Sequence, residues 1–261
     1  MDFTKFKNSA IKILNIDLDS YKSKRVERRT LSLMRRHDIE TYEDCLDKIE
    51  NDLNFRAAYL NHFTINTSEF FRNPKSFDYL KEIILPSLFK GKNKIKIWSA
   101  PCSNGSEPYT IAIILSEMGI EARRFQIEAC DIDDEILKSA QRGQYGNVSI
   151  KNVSPLLMKK YFTVISERQT STLYQLNQDI LDVVSFEKRD LINEGYPNGW
   201  DLILSRNFFI YLKKDIKDKL IRRFVSTLNE GGYLFLGNTE FIFNPSDFGL
   251  EKIHSSFYKK I

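Results

Sequence analysis

The sequence predicts an α/β protein in which a mostly parallel sheet follows an all-helical N-terminal domain. Residues 3–62 carry apolar side chains at helical spacing, and no glycine occurs before Gly91. From residue 94 onwards, short apolar runs typical of buried strands alternate with helical segments, which is the pattern of a parallel sheet. We therefore predict a helical domain over residues 1–73 and an α/β domain over residues 74–261.

The N-terminal domain should contain four helices, of which the second is strongly basic. Residues 22–36 contain seven lysines and arginines against one acidic residue. This composition is typical either of a solvated helix face or of a surface that docks an acidic partner. Thr41 followed by Asp44 resembles a capping box at the start of the third helix.

The segment FTINTSEFFRNP, residues 63–74, interrupts the helical pattern. It combines aromatic residues, an arginine and several hydroxyl or amide side chains, and it ends at a proline. Its local pattern also fits a purely structural role, in which Phe70 and Phe71 pack between the domains and Arg72 caps a helix. An amphipathic helix over residues 76–89 is predicted to follow.

The first strand of the α/β domain, residues 95–98, leads into a turn with a single glycine, Gly105. Glu107 and Pro108 suit the first turn of the helix that comes next. A dinucleotide site needs three glycines here and a P-loop ends in Gly-Lys-Ser/Thr, and neither occurs. This favours a nucleoside ligand without phosphates, of which S-adenosylmethionine is the commonest. An ordinary strand-turn-helix connection fits the pattern equally well.

A second strand over residues 125–130 ends at Asp131. In nucleoside-binding α/β folds the acid at this position binds the two ribose hydroxyls, so Asp131 is the candidate. Asp133 is predicted to cap the helix over residues 135–140. From residue 151 to about 185 the segments are short and polar, which predicts a small inserted antiparallel β-subdomain.

The α/β pattern resumes with strands over residues 183–188 and 201–205. The second runs directly into RNFFIY, residues 206–211, which should lie at the carboxyl edge of the sheet. A helix over residues 213–228, ended by Gly231 and Gly232, should precede a strand over residues 233–236. The tail over residues 251–258 is predicted to form one antiparallel edge strand.

The composition is that of a soluble globular protein with a net charge of only +4, unlike a chain that binds nucleic acid over its whole surface. Three cysteines without a pairing pattern indicate reduced thiols, and the N-terminal residues lack the apolar core of a signal peptide. No apolar stretch approaches membrane length, and the three histidines form no metal-ligand motif. We expect a cytoplasmic monomer without a metal site.

Five segments together resemble the motifs of the CheR family of chemoreceptor glutamate O-methyltransferases: NTSEFFRNP, SAPCSNGSEPYTIA, ACDID, SRNFFIYL and LNEGGYLFLGNTE. The resemblance extends over nearly the whole chain, including the helical domain with its basic helix. It implies a class I, Rossmann-like methyltransferase sheet. It also implies S-adenosylmethionine as the methyl donor, S-adenosylhomocysteine as the product and receptor glutamates as acceptors.

The resemblance further implies roles for individual residues. Those placed at the cofactor are Asn66, Ser68, Arg72, Glu107, Asp131, Asp190, Leu191, Arg206 and Asn207. Glu107 would bind the methionine portion, and Asp190 with Leu191 would line the adenine. Arg72, Tyr211 and Ser68 are the predicted catalytic residues, with Arg72 and Tyr211 orienting and shielding the acceptor.

The implied partner is the acidic, helical methylation region of a chemoreceptor, docked through the basic helix over residues 22–36. Some family members bind a receptor-tail peptide at the β-subdomain, but they tend to carry glycines where this chain has none, between Phe162 and Phe186. Two alternatives remain. A nucleic-acid methyltransferase would use the basic helix, although the Asn-Pro-Pro-aromatic motif is missing, and a non-catalytic sensor would only bind the cofactor product.

Overall fold

The computed structural model describes residues 1–64, 68–168 and 171–261. The chain divides into two compact units. The helical unit comprises Met1–Asn66 and Tyr211–Asp218, and the sheet unit comprises Thr67–Ile210 and Lys219–Ile261. Within the described ranges, no helix combines the length and the apolar character needed to cross a lipid bilayer.

Four helices build the helical unit: α1 (Phe3–Leu14), α2 (Ser23–Arg36), α3 (Tyr42–Asn51) and α4 (Leu53–Thr64). The Thr41 side chain accepts a hydrogen bond from the amide of Asp44 at the start of α3, which confirms the predicted cap. The apolar stripes of the helices share one buried core: Phe6, Ala10, Val26, Leu33, Cys45, Ile49, Phe55 and Tyr59.

Helix α2 buries an apolar face and exposes a basic one. Its buried residues recur at helical spacing: Val26, Thr30, Leu33 and Met34. Its exposed cations are Lys24, Arg28, Arg35 and Arg36. A buried hydrogen bond of 2.8 Å joins the hydroxyls of Thr30 and Tyr59 and fixes the rotation of α2 against α4. The basic side of α2 therefore faces solvent.

The segment Tyr211–Asp218 joins the helical unit through its backbone. The amide of Lys22 donates to the carbonyl of Tyr211, and the amide of Lys213 donates to the carbonyl of Ser20, both at 3.0 Å. Tyr211 is thereby tied to the residues that lead into α2. The predicted α/β domain over residues 74–261 includes this residue, whereas the structure groups it with the helical unit.

The described residues contain ten strands: β1 (Ile95–Ser99), β2 (Phe125–Asp131), β3 (Gln144–Gly146), β4 (Phe162–Arg168), β5 (Ser171–Leu176), β6 (Val184–Lys188), β7 (Trp200–Ser205), β8 (Leu228–Leu236), β9 (Leu250–His254) and β10 (Phe257–Lys260). Seven of them form one sheet in the order β6-β2-β1-β7-β8-β10-β9. The pairs from β6 to β8 are parallel, and β10 is antiparallel to β8 and β9. The mostly parallel sheet is thus confirmed.

The sheet unit contains these helical elements: α5 (Pro74–Tyr79), a π-helical turn (Leu80–Ile84), α6 (Leu85–Phe89), α7 (Ser106–Glu117), α8 (Asp134–Arg142), α9 (Asn147–Ile150), α10 (Pro155–Tyr161), α11 (Gln178–Leu181) and α12 (Lys214–Thr227). The first residues of α12, up to Asp218, belong to the helical unit. Asp133 caps α8 as predicted. The π-helical turn interrupts the helix predicted over residues 76–89 because Pro86 has no amide to continue the hydrogen-bond ladder.

The remaining three strands form a small antiparallel sheet in the order β3-β5-β4, which confirms an inserted antiparallel element. Its first strand, β3, lies before the predicted start at residue 151. A three-residue strand carries too little alternation to be recognised in the sequence.

Two predictions near the C-terminus are wrong: the helix end at Gly231 and Gly232, and the tail as one strand. Gly231 and Gly232 lie inside β8, where the pairing with β7 skips from Leu228 to Tyr233 and Gly231 adopts a φ of +72°. The glycines thus allow a bulge and do not end a helix. The tail forms a hairpin of two antiparallel strands, β9 and β10, and not one strand.

Candidate active site

The carboxyl ends of adjacent parallel strands meet at one edge of the large sheet. β1 ends at Ser99, β2 at Asp131 and β7 at Ser205, and all three residues are buried. The chain leaves β1 towards β2 on one side and enters β7 on the other, so the strand order reverses here. Open α/β sheets bind ligands at such a point.

The turn between β1 and α7 depends on Gly105. This residue caps α7 with a φ of +81°, a left-handed conformation that favours glycine. A Cβ atom at this position would lie 2.9 Å from the Cβ of Ala140, closer than two carbon atoms pack. The amide of Cys102 donates to the carbonyl of Cys130 at 2.8 Å and ties the turn to the end of β2.

We expect Gly105→Ala to lower the free energy of unfolding by roughly 2–3 kcal/mol, because alanine is strained at this φ and must also displace Ala140. Gly119 has a φ of +70° with nothing within 4 Å, so Gly119→Ala should cost only the backbone part, about 1 kcal/mol. Gly91→Ala, in open space, is the control and should change stability by less than about 0.5 kcal/mol. Urea unfolding tests this ranking, and equal stability of the Gly105 and Gly91 variants would contradict it.

Asp131 presents a buried carboxylate at the end of β2. Its oxygens accept hydrogen bonds from the amides of Ser103, at 2.9 Å, and Asp133, at 3.2 Å. Burial raises the pKa of Asp131 to about 6, and these amide hydrogen bonds oppose the rise. The group is therefore mostly ionised at neutral pH and can accept further hydrogen bonds from hydroxyls.

Glu107, in the first turn of α7, and Arg206, directly after β7, form a buried ion pair. The distance from Oε2 of Glu107 to an Nη of Arg206 is 3.2 Å, and 3% of the Arg206 side chain and 9% of the Glu107 side chain are exposed. The other carboxylate oxygen accepts a hydrogen bond from the Ser99 hydroxyl at 2.8 Å. Burial raises the pKa of Glu107, whereas the charge of Arg206 lowers it. The pair joins α7 to the ends of β1 and β7.

Arg206 also anchors the segment that precedes α5. Its second Nη donates to the backbone carbonyl of Arg72 and to Oδ1 of Asn73, both at 2.8 Å. The guanidinium lies 5.0 Å from the ring centroid of Phe77 and 4.7 Å from that of Phe235. These rings exclude water from the guanidinium and strengthen its hydrogen bonds.

The positive charge of Arg72 acts on this pair. Burial raises the pKa of Glu107 and lowers that of Arg206, and the charge of Arg72 shifts the pKa of both groups downward. The backbone of Arg72 adjoins the pair directly, since its carbonyl accepts a hydrogen bond from Arg206. The three groups together carry a charge of +1.

The segment that carries Arg72 is fixed to the glycine turn and to α7. The carbonyl of Ser68 accepts a hydrogen bond from the side-chain amide of Asn104 at 3.3 Å, and the amide of Phe71 donates to the Thr110 hydroxyl at 3.1 Å. Asn66, predicted at the cofactor, lies outside the described residues.

Glu240, to which the sequence analysis assigned no role, holds the loop after β7. Its Oε2 accepts hydrogen bonds from the amides of Asn207, at 2.6 Å, and Gly237, at 2.8 Å. Its Oε1 accepts a hydrogen bond from the amide of Ile210 at 3.3 Å. Asn207 adopts a φ of +61° in this loop. The acid at the end of the LGNTE motif was the available signal for such an anchor.

Asp190 and Leu191 begin the loop that follows β6. Oδ1 of Asp190 accepts a hydrogen bond from the amide of Ile192 at 2.8 Å and so shapes its own loop. The amide of Arg189 donates to the carbonyl of Asp131 at 2.9 Å. The loop therefore starts directly beside the end of β2.

Tyr211 lies in the helical unit, where the guanidinium carbon of Arg25 is 5.1 Å from its ring centroid. The predicted site residues that the sheet unit brings to the carboxyl edge are Ser68, Arg72, Glu107, Asp131, Asp190, Leu191, Arg206 and Asn207. In the described part of the chain, no group of three or more potential metal-ligand side chains occurs. Burial raises the pKa of Cys102 and Cys130 well above the ordinary value, so neither is an activated nucleophile.

Residues 66–257 match the family model of the CheR methyltransferase, SAM binding domain, and residues 1–64 match that of the CheR methyltransferase, all-alpha domain. The chain is 32% and 31% identical, over 260 residues, to the chemotaxis protein methyltransferases of Listeria monocytogenes and Listeria innocua, covering 99% of this chain and 97% of each relative. It is 29% identical over 256 residues to chemotaxis protein methyltransferase 1 of Pseudomonas aeruginosa, covering 94% of this chain and 92% of that protein. The chain therefore belongs to the CheR methyltransferase family.

Proposed function

We propose that this chain transfers the methyl group of S-adenosylmethionine to glutamate side chains of chemoreceptors in the cytoplasm, forming methyl esters. Its membership of a family of methyltransferases with a SAM binding domain supports the donor. Relatives similar over almost their whole length are named chemotaxis protein methyltransferases, which supports the signalling role. The observation that carries the acceptor class is the anchored cation Arg72, whose backbone carbonyl accepts a hydrogen bond from Arg206 of the buried pair with Glu107.

The residues at the sheet edge fit S-adenosylmethionine, which supplies a methyl group on a positively charged sulfur when bound. In our assignment, the buried carboxylate of Asp131 accepts hydrogen bonds from the ribose hydroxyls. Glu107 binds the charged methionine end, and Arg206 holds the carboxylate of Glu107 in place. Asp190 and Leu191 line the adenine from the loop beside the end of β2. Asn66, Ser68 and Asn207 complete the cofactor site in this proposal.

Methylation of a carboxylate needs no general base. A glutamate with an ordinary pKa of about 4.3 is ionised at neutral pH and is already the nucleophile. The reaction joins an anion to a sulfonium, so charge is cancelled as the bond forms, and strong stabilisation of the anion would slow it. Alignment of the acceptor should therefore supply most of the catalysis.

We assign the alignment to Arg72, with Ser68 and Tyr211 as the other catalytic groups. A planar guanidinium can bind both oxygens of a carboxylate and fix its orientation. Ser68 can donate a hydrogen bond from its hydroxyl. Arg72 and Ser68 act by orienting the acceptor, which is already ionised and has no proton to lose.

Transfer of isotopically labelled methyl from S-adenosylmethionine tests this function. The purified chain, a chemoreceptor cytoplasmic fragment and labelled donor should give receptor-bound label that mild alkali releases as methanol. Label that resists alkali, or label on added nucleic acid, would contradict the proposal. Tight cofactor binding without any transfer would indicate a non-catalytic sensor.

The buried carboxylate of Asp131 gives cofactor binding a defined pH dependence. The ribose hydroxyls bind the ionised form, so cofactor binding lowers the pKa of Asp131 from its value of about 6 in the free protein. We expect the affinity for S-adenosylmethionine and S-adenosylhomocysteine to fall as the pH drops below about 6, with proton release on binding near that pH. Asp131→Asn should weaken both ligands by about 1–3 kcal/mol and abolish the pH dependence. Calorimetric titration from pH 5 to 8 measures all three effects.

The Asp131 carboxylate should change the free energy of unfolding with pH in the opposite direction to cofactor affinity. Because the pKa of Asp131 is raised in the folded protein, its contribution to stability is fully present below about pH 4 and is lost as the pH rises through about 6. Asp131→Asn without ligand should therefore gain stability relative to the wild type above pH 6. Cofactor binding that stays pH-independent in the wild type would exclude Asp131 from the site.

We further propose that the exposed basic side of α2 docks the acidic methylation region of the receptor. The exposed cations of α2 have opposite charge to that region, and the apolar face of the helix is occupied by the core of the helical unit. Opposite charges on two surfaces raise the association rate and weaken with added salt.

Replacing Lys24 and Arg28 by glutamate should raise the KM for receptor about tenfold or more and leave the Kd for S-adenosylmethionine unchanged. These two exposed cations are better targets than Arg29, whose Nε is buried. The control is the double variant Lys90→Glu and Arg123→Glu, which changes the same charge on exposed residues of the sheet unit. Wild-type kinetics that do not respond to salt, with the α2 variant matching the control, would show that this face is only solvated.

A further inference from the structure

The loop after β6 is held from outside the candidate site by Arg223 of α12. One Nη of Arg223 donates to the carbonyl of Leu191 at 3.0 Å and to that of Ile192 at 2.9 Å. The guanidinium carbon also lies 4.1 Å from the ring centroid of Tyr196. A single side chain therefore binds two successive carbonyls and stacks on the residue that closes the same loop.

Tyr196 completes this arrangement. Its hydroxyl donates to the carbonyl of Leu191 at 2.5 Å, so this carbonyl accepts hydrogen bonds from both Tyr196 and Arg223. The Tyr196 ring packs against Trp98 and Phe224, with centroid distances of 5.1 and 5.0 Å. The loop is thereby attached to the sheet and to α12 and does not rest on its own hydrogen bonds alone.

The order of the strands indicates what this loop contacts. Ligands extend along the carboxyl edge of an α/β sheet, and the ribose is assigned to Asp131 at the end of β2. β6 is the neighbour of β2 on the side away from β1. Because Glu107, on the β1 side, is assigned to the methionine end, we assign the adenine to the β6 side, where the loop that carries Asp190 and Leu191 follows β6.

We propose that Arg223 and Tyr196 are positioning residues for adenine, acting through the Leu191 carbonyl on the loop over residues 190–196. This inference rests on the proposed cofactor site and names residues that do not themselves touch the cofactor. Arg223 orients the two carbonyls towards α12, and the adenine-lining groups of the loop are then presented in one arrangement. Without these contacts the loop adopts other conformations. Part of the binding free energy is then used to order the loop, and the apparent affinity for the ligand falls.

The test is the binding of three adenosine-bearing ligands to the full chain: S-adenosylmethionine, S-adenosylhomocysteine and 5′-methylthioadenosine. Arg223→Ala should raise the Kd of all three by a similar factor of about ten or more, because the third ligand lacks the amino-acid end. The kcat at saturating S-adenosylmethionine should stay within about threefold of the wild type. Tyr196→Phe keeps the ring and removes one donor, so it should raise the same three Kd values by about two- to fivefold.

Arg222→Ala is the matched control. Arg222 precedes Arg223 in α12, donates to the carbonyl of Asp247 at 3.0 Å and lies 4.7 Å from the ring centroid of Phe248, so it makes the same kinds of contact elsewhere. Its variant should leave all three Kd values unchanged. Both tryptophans of the chain, Trp98 and Trp200, stack on each other beside Tyr196, so tryptophan fluorescence reports the state of this region directly.

Unchanged Kd values in Tyr196→Phe and Arg223→Ala, or a fall in kcat without a change in Kd, would overturn the inference. Should Arg223→Ala fail to fold, Arg223→Lys and Tyr196→Phe decide the question, since lysine cannot bind both carbonyls and stack at once. These binding measurements need no methyl acceptor. Failure of the wild-type chain to form receptor esters would therefore contradict the proposed function. The adenine inference would still be decided by the Kd values alone.

Discussion

Arg72→Ala is expected to lower kcat by about two orders of magnitude or more, with little change in the Kd for S-adenosylmethionine. In our proposal the guanidinium of Arg72 aligns the acceptor carboxylate. Because the reaction uses no general base, the loss of this alignment removes most of the catalysis. The substitution keeps the backbone carbonyl of Arg72, to which Arg206 donates its hydrogen bond. The buried anchor is thus preserved, and the variant reports on the side chain alone.

Lys75→Ala provides the control for this experiment, since Lys75 is an exposed cation three residues away and should be neutral. Arg72→Lys should recover little of the lost rate, because a point charge does not reproduce a planar fork. If Arg72 instead holds the cofactor, Arg72→Ala raises the Kd for S-adenosylmethionine, and saturating cofactor restores the rate. Normal turnover together with normal cofactor binding would show that Arg72 has only a structural role.

Arg206→Met is expected to destabilise the free protein by about 3–5 kcal/mol and to abolish measurable cofactor binding. The substitution leaves Glu107 charged and buried without its cation and also removes the hydrogen bonds to Arg72 and Asn73. Lys138→Met is the control, because Lys138 pairs with Glu135 on the surface, where solvent screens the pair and it contributes little to stability. Urea unfolding and calorimetric titration measure the two effects.

The double variant Glu107→Gln and Arg206→Met separates stability from function. With no buried charge left unpaired, it should regain more than half of the stability that Arg206→Met loses. Cofactor binding should remain lost, because the group assigned to the methionine end is gone. A double variant that binds S-adenosylmethionine normally would show that the buried pair serves only to hold the fold.

Local signals were enough to predict the frame of the sheet unit. The apolar runs of β1, β2 and β7 are uninterrupted, and Gly105 and Asp131 follow strands at positions that parallel sheets use for ligands. The resulting seven-stranded sheet is mostly parallel and belongs to the part of the chain that matches the CheR methyltransferase, SAM binding domain. Asp133 was likewise separable from Asp131, because a cap has its own sequence signature.

Contacts between distant residues were not predictable in the same way. The pair of Glu107 and Arg206 joins side chains 99 residues apart, and Glu240 reaches back 33 residues to Asn207. Such pairings leave no periodicity in the sequence, because each partner alone is an ordinary charged residue beside a strand. The association of Tyr211 with the helical unit is of this kind, since it depends on one backbone hydrogen bond that the amide of Lys22 donates.

Mass spectrometry of a methylated receptor tests the central claim most directly. The purified chain, S-adenosylmethionine with a trideuterated methyl group and a chemoreceptor cytoplasmic fragment are incubated, and the receptor peptides are sequenced with and without mild alkali. We predict one trideuteromethyl group per modified peptide on a glutamate side chain, lost on alkali treatment and absent with Arg72→Ala. A methyl group on nitrogen or sulfur, or a receptor without any label under conditions where the cofactor binds, would contradict the account.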